Sequence, residues 1–292
     1  MSENKYAVAM GVFDGLHIGH SAVIKQAVAM REEGLIPAVF TFSMTVSPKK
    51  SGMIISDETK TKLLYEMGVE KIYMPEFSSF AGMDGESFVR EKLVGEMKAA
   101  AVCCGYDFRF GKGRACGTKE LAELCEKYGV KLAVLPEVTL EGEEVSSSRV
   151  RTAIAQGELE TAEKLLGRRF SFELEVMHGR KLARSLGFPT INQKWAGESI
   201  VPKFGVYAAK AYVDGRCYPA VTNIGVKPTV AQNGEDGVLA ETYIEGYSGD
   251  LYGEKVKVEL IKFVRPERKF GSIEQLKEQI MRDAALSREI SK

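Results

Sequence analysis

Apolar and polar positions change rhythm partway along the chain. In the first half, apolar runs of strand length alternate with stretches whose apolar residues recur every three or four positions. The runs 6–9, 35–42, 71–74, 100–104 and 130–135 read as strands. Val23, Ala27 and Met30 set a helix over 21–33 that Gly34 stops. Ser56 caps a second helix running to Met67, with Asp57 and Glu58 in its first turn. A third, over 85–97, carries Phe88, Leu93 and Met97 near one face, and a fourth over 118–128 ends at Gly129. Serines at 146–148 open a further helix that Gly157 breaks, and one more over 158–166 ends at Gly167. This alternation predicts a doubly wound parallel α/β sheet, in which ligands sit beyond the C-terminal ends of the strands.

Near Gly167-Arg168-Arg169 the period shortens to two. Phe172, Leu174 and Val176 alternate with polar residues. The runs 205–213 and 217–224 flank Asp214-Gly215, a hairpin turn, and 241–244 and 256–264 add strands. Ser272 and Gln275 form a capping box ahead of Ile273, Leu276, Ile280 and Ala284, the apolar stripe of a closing helix. The second half therefore predicts a small antiparallel β-barrel with a terminal helix, and the domains fall at 1–167 and 168–292.

A chain of 292 residues is long enough for two cores. Lysine plus arginine equals aspartate plus glutamate, 40 each, so there is no electrostatic footprint for nucleic acid or an acidic membrane surface. The first residues carry no leader pattern and no apolar run approaches a membrane span, which predicts a cytoplasmic protein. Five cysteines fit neither a disulfide framework nor a zinc pattern and read as reduced thiols. Self-association into a homo-oligomer is left open by the sequence.

Chemistry concentrates first in M-G-V-F-D-G-L-H-I-G-H, residues 10–20, between the first strand and the first helix. Unpaired N–H groups and a positive dipole at a helix start suit phosphate, and Gly11, Gly15 and Gly19 permit close backbone approach. His17 and His20, two of only three histidines, are three apart and share a face if helical. Imidazoles there donate to phosphate oxygens as charge builds. A second stretch, residues 105–113, follows the 100–104 strand. Asp107 suits a ribose or base donor, and Arg109 or Lys112 a phosphate. A third, V-S-S-S-R-V-R over 145–151, offers Ser147 and Ser148 as caps and Arg151 as a grip on triphosphate. In the second half, H-G-R-K-L-A-R-S-L-G-F-P-T-I-N over 178–192 is a basic, glycine-containing loop suited to ATP phosphates. Its Thr190 and Asn192 are hard oxygen ligands fit for Mg²⁺. Glu241 opens a β-branched, aromatic strand.

G-x-F-D-G-x-H-x-G-H resembles the nucleotidyltransferase superfamily signature in the form found in bacterial bifunctional riboflavin kinase/FAD synthetase. The segments over 105–111 and 145–151 resemble the same family. G-x-P-T-x-N, N-I-G-x-x-P-T (223–229), E-T-x-I, D-L-Y-G (250–253) and R-P-E-x-x-F (265–270) resemble riboflavin kinase in order and spacing. The resemblance implies ATP-dependent phosphorylation of riboflavin to FMN, then adenylyl transfer from a second ATP to FMN, giving FAD and pyrophosphate. It implies ATP and phosphate contacts from Gly11, Phe13, Asp14, Gly15, Gly19, Asp107, Arg109, Ser147 and Ser148 in one half. In the other they come from Gly179, Lys181, Arg184, Gly187, Thr190 and Asn192. His17, His20, Arg151 and Glu241 would be catalytic, Glu241 as the base. Asn223, Thr229 and Arg265 would bind flavin, and Thr190 and Asn192 would hold Mg²⁺.

Three departures stand out. T-F-S-M-T-V-S-P, residues 41–48, lacks the histidine of the family's Pro-His-Pro-like segment beside the flavin nucleotide, which bears on adenylyl transfer and not on its ATP site. Ala183 replaces a usual glycine and Ile191 a usual alanine. Two other readings follow. One is a riboflavin kinase whose first half is a nucleotide-binding regulatory module, motivated by the altered 41–48 segment. The other is a non-catalytic flavin-binding scaffold, which would not require Thr190, Asn192 and Glu241 together.

Overall fold

The computed structural model describes residues 5–43, 52–178, 188–195, 197–227 and 237–290. Contacts group Met1–Ser147 in one compact unit and Ser148–Lys292 in another.

The first unit is built on five parallel strands: β1 (Tyr6–Met10), β2 (Ile36–Phe40), β3 (Lys71–Tyr73), β4 (Ala99–Gly105) and β5 (Lys131–Leu135). Their order is β3-β2-β1-β4-β5, so the winding reverses between β1 and β4 and a crevice opens beyond their C-terminal ends. The doubly wound reading is borne out. β1 is apolar and buried from Ala7 to Met10, as a central strand covered on both faces requires. The helices are α1 (Ile18–Ala29), α2 (Asp57–Glu66), α3 (Gly85–Ser87) and α4 (Thr118–Lys127). Ser56 caps α2 as expected, accepting from the Thr59 N–H at 3.1 Å. The helix expected over 85–97 differs in kind. The three-residue α3 passes into a wider π-helix, Phe88–Glu96, and the Met97 N–H reaches back five residues to the Lys92 carbonyl. The wider turn still buries Phe88, Val89 and Leu93 in one core with Met10, Phe40, Val102 and Leu121. Cys104 and Cys125 are packed there too, and Cys103 is buried against Met30. Burial pushes the thiols of Cys103, Cys104 and Cys125 up to about 12, 12 and 11, so they stay protonated and act as small apolar groups. A short hairpin, β6 (Thr139–Leu140) and β7 (Glu143–Glu144), completes the unit.

In the second unit α5 (Ser147–Gln156, its first residue grouped with the first unit) and α6 (Leu159–Leu166) precede six strands. These are β8 (Ser171–Met177), β9 (Thr190–Lys194), β10 (Gly205–Val213), β11 (Arg216–Lys227), β12 (Gly237–Ile244) and β13 (Lys255–Arg265). All pairings are antiparallel and the sheet closes in the order β10-β11-β12-β9-β8-β13, so the barrel expectation is borne out. Its interior is not purely apolar. The Thr222 and Thr242 hydroxyls share a hydrogen bond at 3.0 Å, and the fully buried Gln193 donates to the Leu174 and Val256 carbonyls.

The terminal helix, α7 (Ile273–Ile290), keeps part of the expected stripe, with Ala284 buried and Leu276 and Ile280 half-buried. Ile273 is 56% exposed, and the buried positions are Asp283, Ala284 and Ser287. The helix is held by polar anchors that an apolar pattern does not register. The Ser287 hydroxyl donates to the Ala220 carbonyl and accepts from the Ala209 N–H. Asp283 takes a bidentate pair from Arg265, at 3.1 Å from Nε and 2.7 Å from Nη2. The Asp283 side chain is 4% exposed, so its loss strands a largely desolvated guanidinium. Asp283→Ala is expected to destabilise the second unit by about 3 kcal/mol, measured by chemical denaturation.

Candidate active sites

The first candidate site grows from the sharp turn after β1. Phe13, Gly15 and Leu16 all have positive φ (53°, 84° and 45°), and Phe13 and Leu16 accept it while buried. Non-glycine residues in this region cost roughly 1 kcal/mol each, a strain typical of functional turns. The Phe13 ring folds back over Gly11, where a Cβ would lie 2.7 Å from it, so only glycine fits. The turn delivers His17 to the N-cap of α1. Its Nδ1 accepts from the His20 N–H at 3.3 Å, which leaves the ring proton on Nε2 as a donor. The two imidazoles stack at 3.6 Å with 18° between their planes, and Phe13 braces His20 edge-on at 5.3 Å. The pair expected from a three-residue spacing is thus formed, on a cap and a first turn.

The loop is tied down on several sides. Asp14, 2% exposed, accepts from the Ile54 N–H at 3.1 Å, and the Thr41 hydroxyl donates to the Val12 carbonyl at 2.8 Å. Ser147 does more than open α5: its hydroxyl donates to the Asp14 carbonyl at 2.9 Å. Arg151 is buried one turn further along α5, and Ser148 is exposed. Beyond the neighbouring β4 come Asp107 and Arg109, both exposed. Arg109 lies over Gly117 at the start of α4. The Gly117 N–H, with Arg109 contributing less, holds the Glu120 carboxyl below its usual range. The sequence reading missed a chain of aromatic rings that runs from an exposed edge into the core. Phe42 contacts Phe77 and Phe80 edge-on, and Phe88 and Phe110 continue the chain of rings, with Phe77 49% exposed. The phenylalanines that follow β2, β3 and β4 were the available signal.

The second candidate site is a row across the outside of the barrel. Asn192 on β9 pairs with Glu241 on β12, and Glu241 pairs with Asn223 on β11. Ala240, Thr242, Thr222 and Gln193 point inward, so the alternating neighbours Glu241, Asn223 and Asn192 share the outer face. Directly opposed residues lie about 5 Å apart at Cβ, so the three side chains can meet one ligand. Thr190, two residues from Asn192, joins the same face. Asn223 donates to Glu267 at 2.9 Å, and a Cβ on Gly225 would overlap that carboxylate. Arg265 is engaged with Asp283 and with the Pro266 carbonyl, so it holds the turn that carries Glu267. The His178 ring lies against Tyr252 at 3.8 Å, tilted by 32°. Gly179, Lys181, Arg184, Gly187 and Thr229, with Ala183 and residues 44–48, lie outside the described residues.

A family model described as FAD synthetase matches residues 1–149, and one described as riboflavin kinase matches 166–291. A Bacillus subtilis bifunctional riboflavin kinase/FMN adenylyltransferase is 35% identical, the match covering 96% of this chain and 90% of that protein. The chain belongs to the bifunctional riboflavin kinase/FMN adenylyltransferase family. The Escherichia coli member is 32% identical over 97% of this chain and 91% of its own. With both catalytic modules present, the two-activity reading stands above the one that makes the first half regulatory. A solved Streptococcus pneumoniae structure, described as a macrolide-efflux protein, superposes with a TM-score of 0.87 at 28% identity. It covers 99% of this chain and 95% of its own. Efflux is said of that protein; among the residues described here, no helix is long and apolar enough to cross a membrane.

Proposed function

We propose that the two steps of FAD synthesis run on these two separate constellations, with the functional division at 167/168. What supports the kinase assignment is the strand register that sets Glu241 between Asn192 and Asn223 on one face. The 5′-hydroxyl of riboflavin is a weak nucleophile, and Glu241 accepts its proton as the new O–P bond forms and ADP departs. Asn223, steadied by Glu267, orients the flavin, with Thr229 and Arg265 assigned to the same substrate. Thr190 and Asn192 present a hydroxyl and an amide carbonyl two residues apart. That neutral hard-oxygen pair fits Mg²⁺, which is held largely by nucleotide phosphates and water. When bound, Mg²⁺ neutralises phosphate charge. Gly179, Lys181, Arg184 and Gly187 complete the nucleotide side.

In adenylyl transfer the FMN phosphate is already an anion and needs no base. It attacks the α-phosphorus of ATP, an O–P bond forms, and pyrophosphate leaves. The requirement is positioning and relief of repulsion between two polyanions. The N-terminus of α1, His17 Nε2 and His20 meet the phosphates, and Gly11, Gly15 and Gly19 let the backbone approach. Ser147, Ser148 and Arg151 address the triphosphate, and Asp107 and Arg109 the nucleoside side. The flat flavin ring lies on the aromatic surface around Phe42 and Phe77. A cytoplasmic location fits both substrates.

The test is a product assay on purified protein. Riboflavin, ATP and Mg²⁺ in one tube should give FMN and then FAD, and FMN, ATP and Mg²⁺ in a second should give FAD. FMN from the first tube with FAD from neither would reduce the first half to a binding module.

A further inference from the structure

The first unit contains a buried cation that neither step uses. Lys60, in the first turn of α2, is 0% exposed. Lysines are almost never fully buried unless paired, because an ammonium loses its hydration on burial. Here the ammonium donates to the Phe42 carbonyl at 2.8 Å and pairs with Asp57 at 3.2 Å. Asp57 in turn accepts from the Ser43 hydroxyl at 2.5 Å. Burial pulls the Lys60 pKa below its ordinary value, while Asp57 and, more weakly, Asp14 hold it up.

These contacts converge on the residues just beyond β2. Thr41 reaches one way, its hydroxyl bonding the Val12 carbonyl in the turn after β1. Phe42 reaches the other way, its carbonyl on Lys60 and its ring against Phe40, Phe77 and Phe80. Asp14, within electrostatic range of Lys60, holds Ile54 and shares its carbonyl with Ser147. One charge therefore registers the phosphate turn against the aromatic surface.

We propose that Lys60 is a positioning residue for adenylyl transfer, setting the acceptor side of the site by fixing Phe42, Ser43 and Asp57 together. This rests on the assignment of FMN to that crevice. Being wholly buried, Lys60 does not touch substrate; it acts through Phe42 and the turn after β1. Its loss should therefore be felt more by FMN than by ATP, and not by the kinase site.

Lys60→Met preserves length and removes the charge. The expected result, on the full chain with FMN and ATP varied separately, is a rise in KM for FMN of about tenfold or more. KM for ATP should change less than threefold, and riboflavin phosphorylation by the same preparation should be unaltered. Lys60→Arg, which restores a cation to both partners, should recover part of the FMN affinity. Unchanged FMN KM and kcat in a folded Lys60→Met protein would overturn the proposal. Equal rises in both KM values would also overturn it, since they indicate general loosening. If Lys60→Met fails to fold, Asp57→Asn keeps the bond to the Phe42 carbonyl while weakening the pair. It should raise the FMN KM selectively by a smaller factor, and no selective rise would again overturn the proposal. A His17→Asn protein run alongside separates the two failures: if it also forms FAD normally, the site assignment itself is wrong.

Discussion

Glu241→Gln is expected to slow riboflavin phosphorylation by about 10²–10⁴-fold, the range over which a positioned proton acceptor contributes. The substitution is nearly isosteric, so the pairing of Glu241 with Asn192 and Asn223 should persist along with the barrel. On the proposed assignment, what goes is the ability to take the proton of the 5′-hydroxyl. The deficit should appear in kcat, with KM for riboflavin and ATP changed far less, because the side chain works mainly in the transition state. Steady-state kinetics with separated products checks this. A kinase rate within twofold of the parent protein would remove Glu241 from the role.

His17→Asn should cost FAD formation about 10²–10³-fold in kcat, the loss typical of removing one donor aimed at developing charge. Asparagine is chosen over alanine for a structural reason. His17 Nδ1 is the N-cap of α1, and alanine would also forfeit about 1 kcal/mol of capping. Asparagine is a strong N-cap, so the helix start is kept while the Nε2 donor is lost. Its Tm should stay within a few degrees of the parent. His20→Ala should give a comparable loss through the other half of the stacked pair. A drop in FAD formation accompanied by an equal drop in stability would mean that the histidines serve the fold.

Much of this was legible in residues with strong local rules. Gly34 stops the first helical segment in the left-handed region, Ser56 caps α2, and Asp214-Gly215 turns the hairpin between β10 and β11. Glu241 was read as opening a strand, whereas Asn192 was read as the end of a loop and in fact lies on β9. Their standing side by side could not be read, because register is set by partner strands remote in sequence. The π-helix at Phe88–Glu96 follows from tertiary packing that has no local cue. On α7 the apolar pattern found Leu276, Ile280 and Ala284 but not the anchors Asp283 and Ser287, which are polar. Lys60 reads from sequence as one more surface lysine on a polar helix; only the fold reveals that its ammonium is enclosed. The Phe42–Phe110 chain of rings likewise joins residues from three separate stretches.

The most direct measurement is a crossed assay. Glu241→Gln and His17→Asn proteins are each given riboflavin with ATP, and separately FMN with ATP, and the products are separated by chromatography. With two independent sites, Glu241→Gln makes FAD from FMN at the parental rate and little FMN from riboflavin. His17→Asn converts riboflavin to FMN at the parental rate and stops there. Loss of both activities in either folded variant would contradict the assignment of one step to each site.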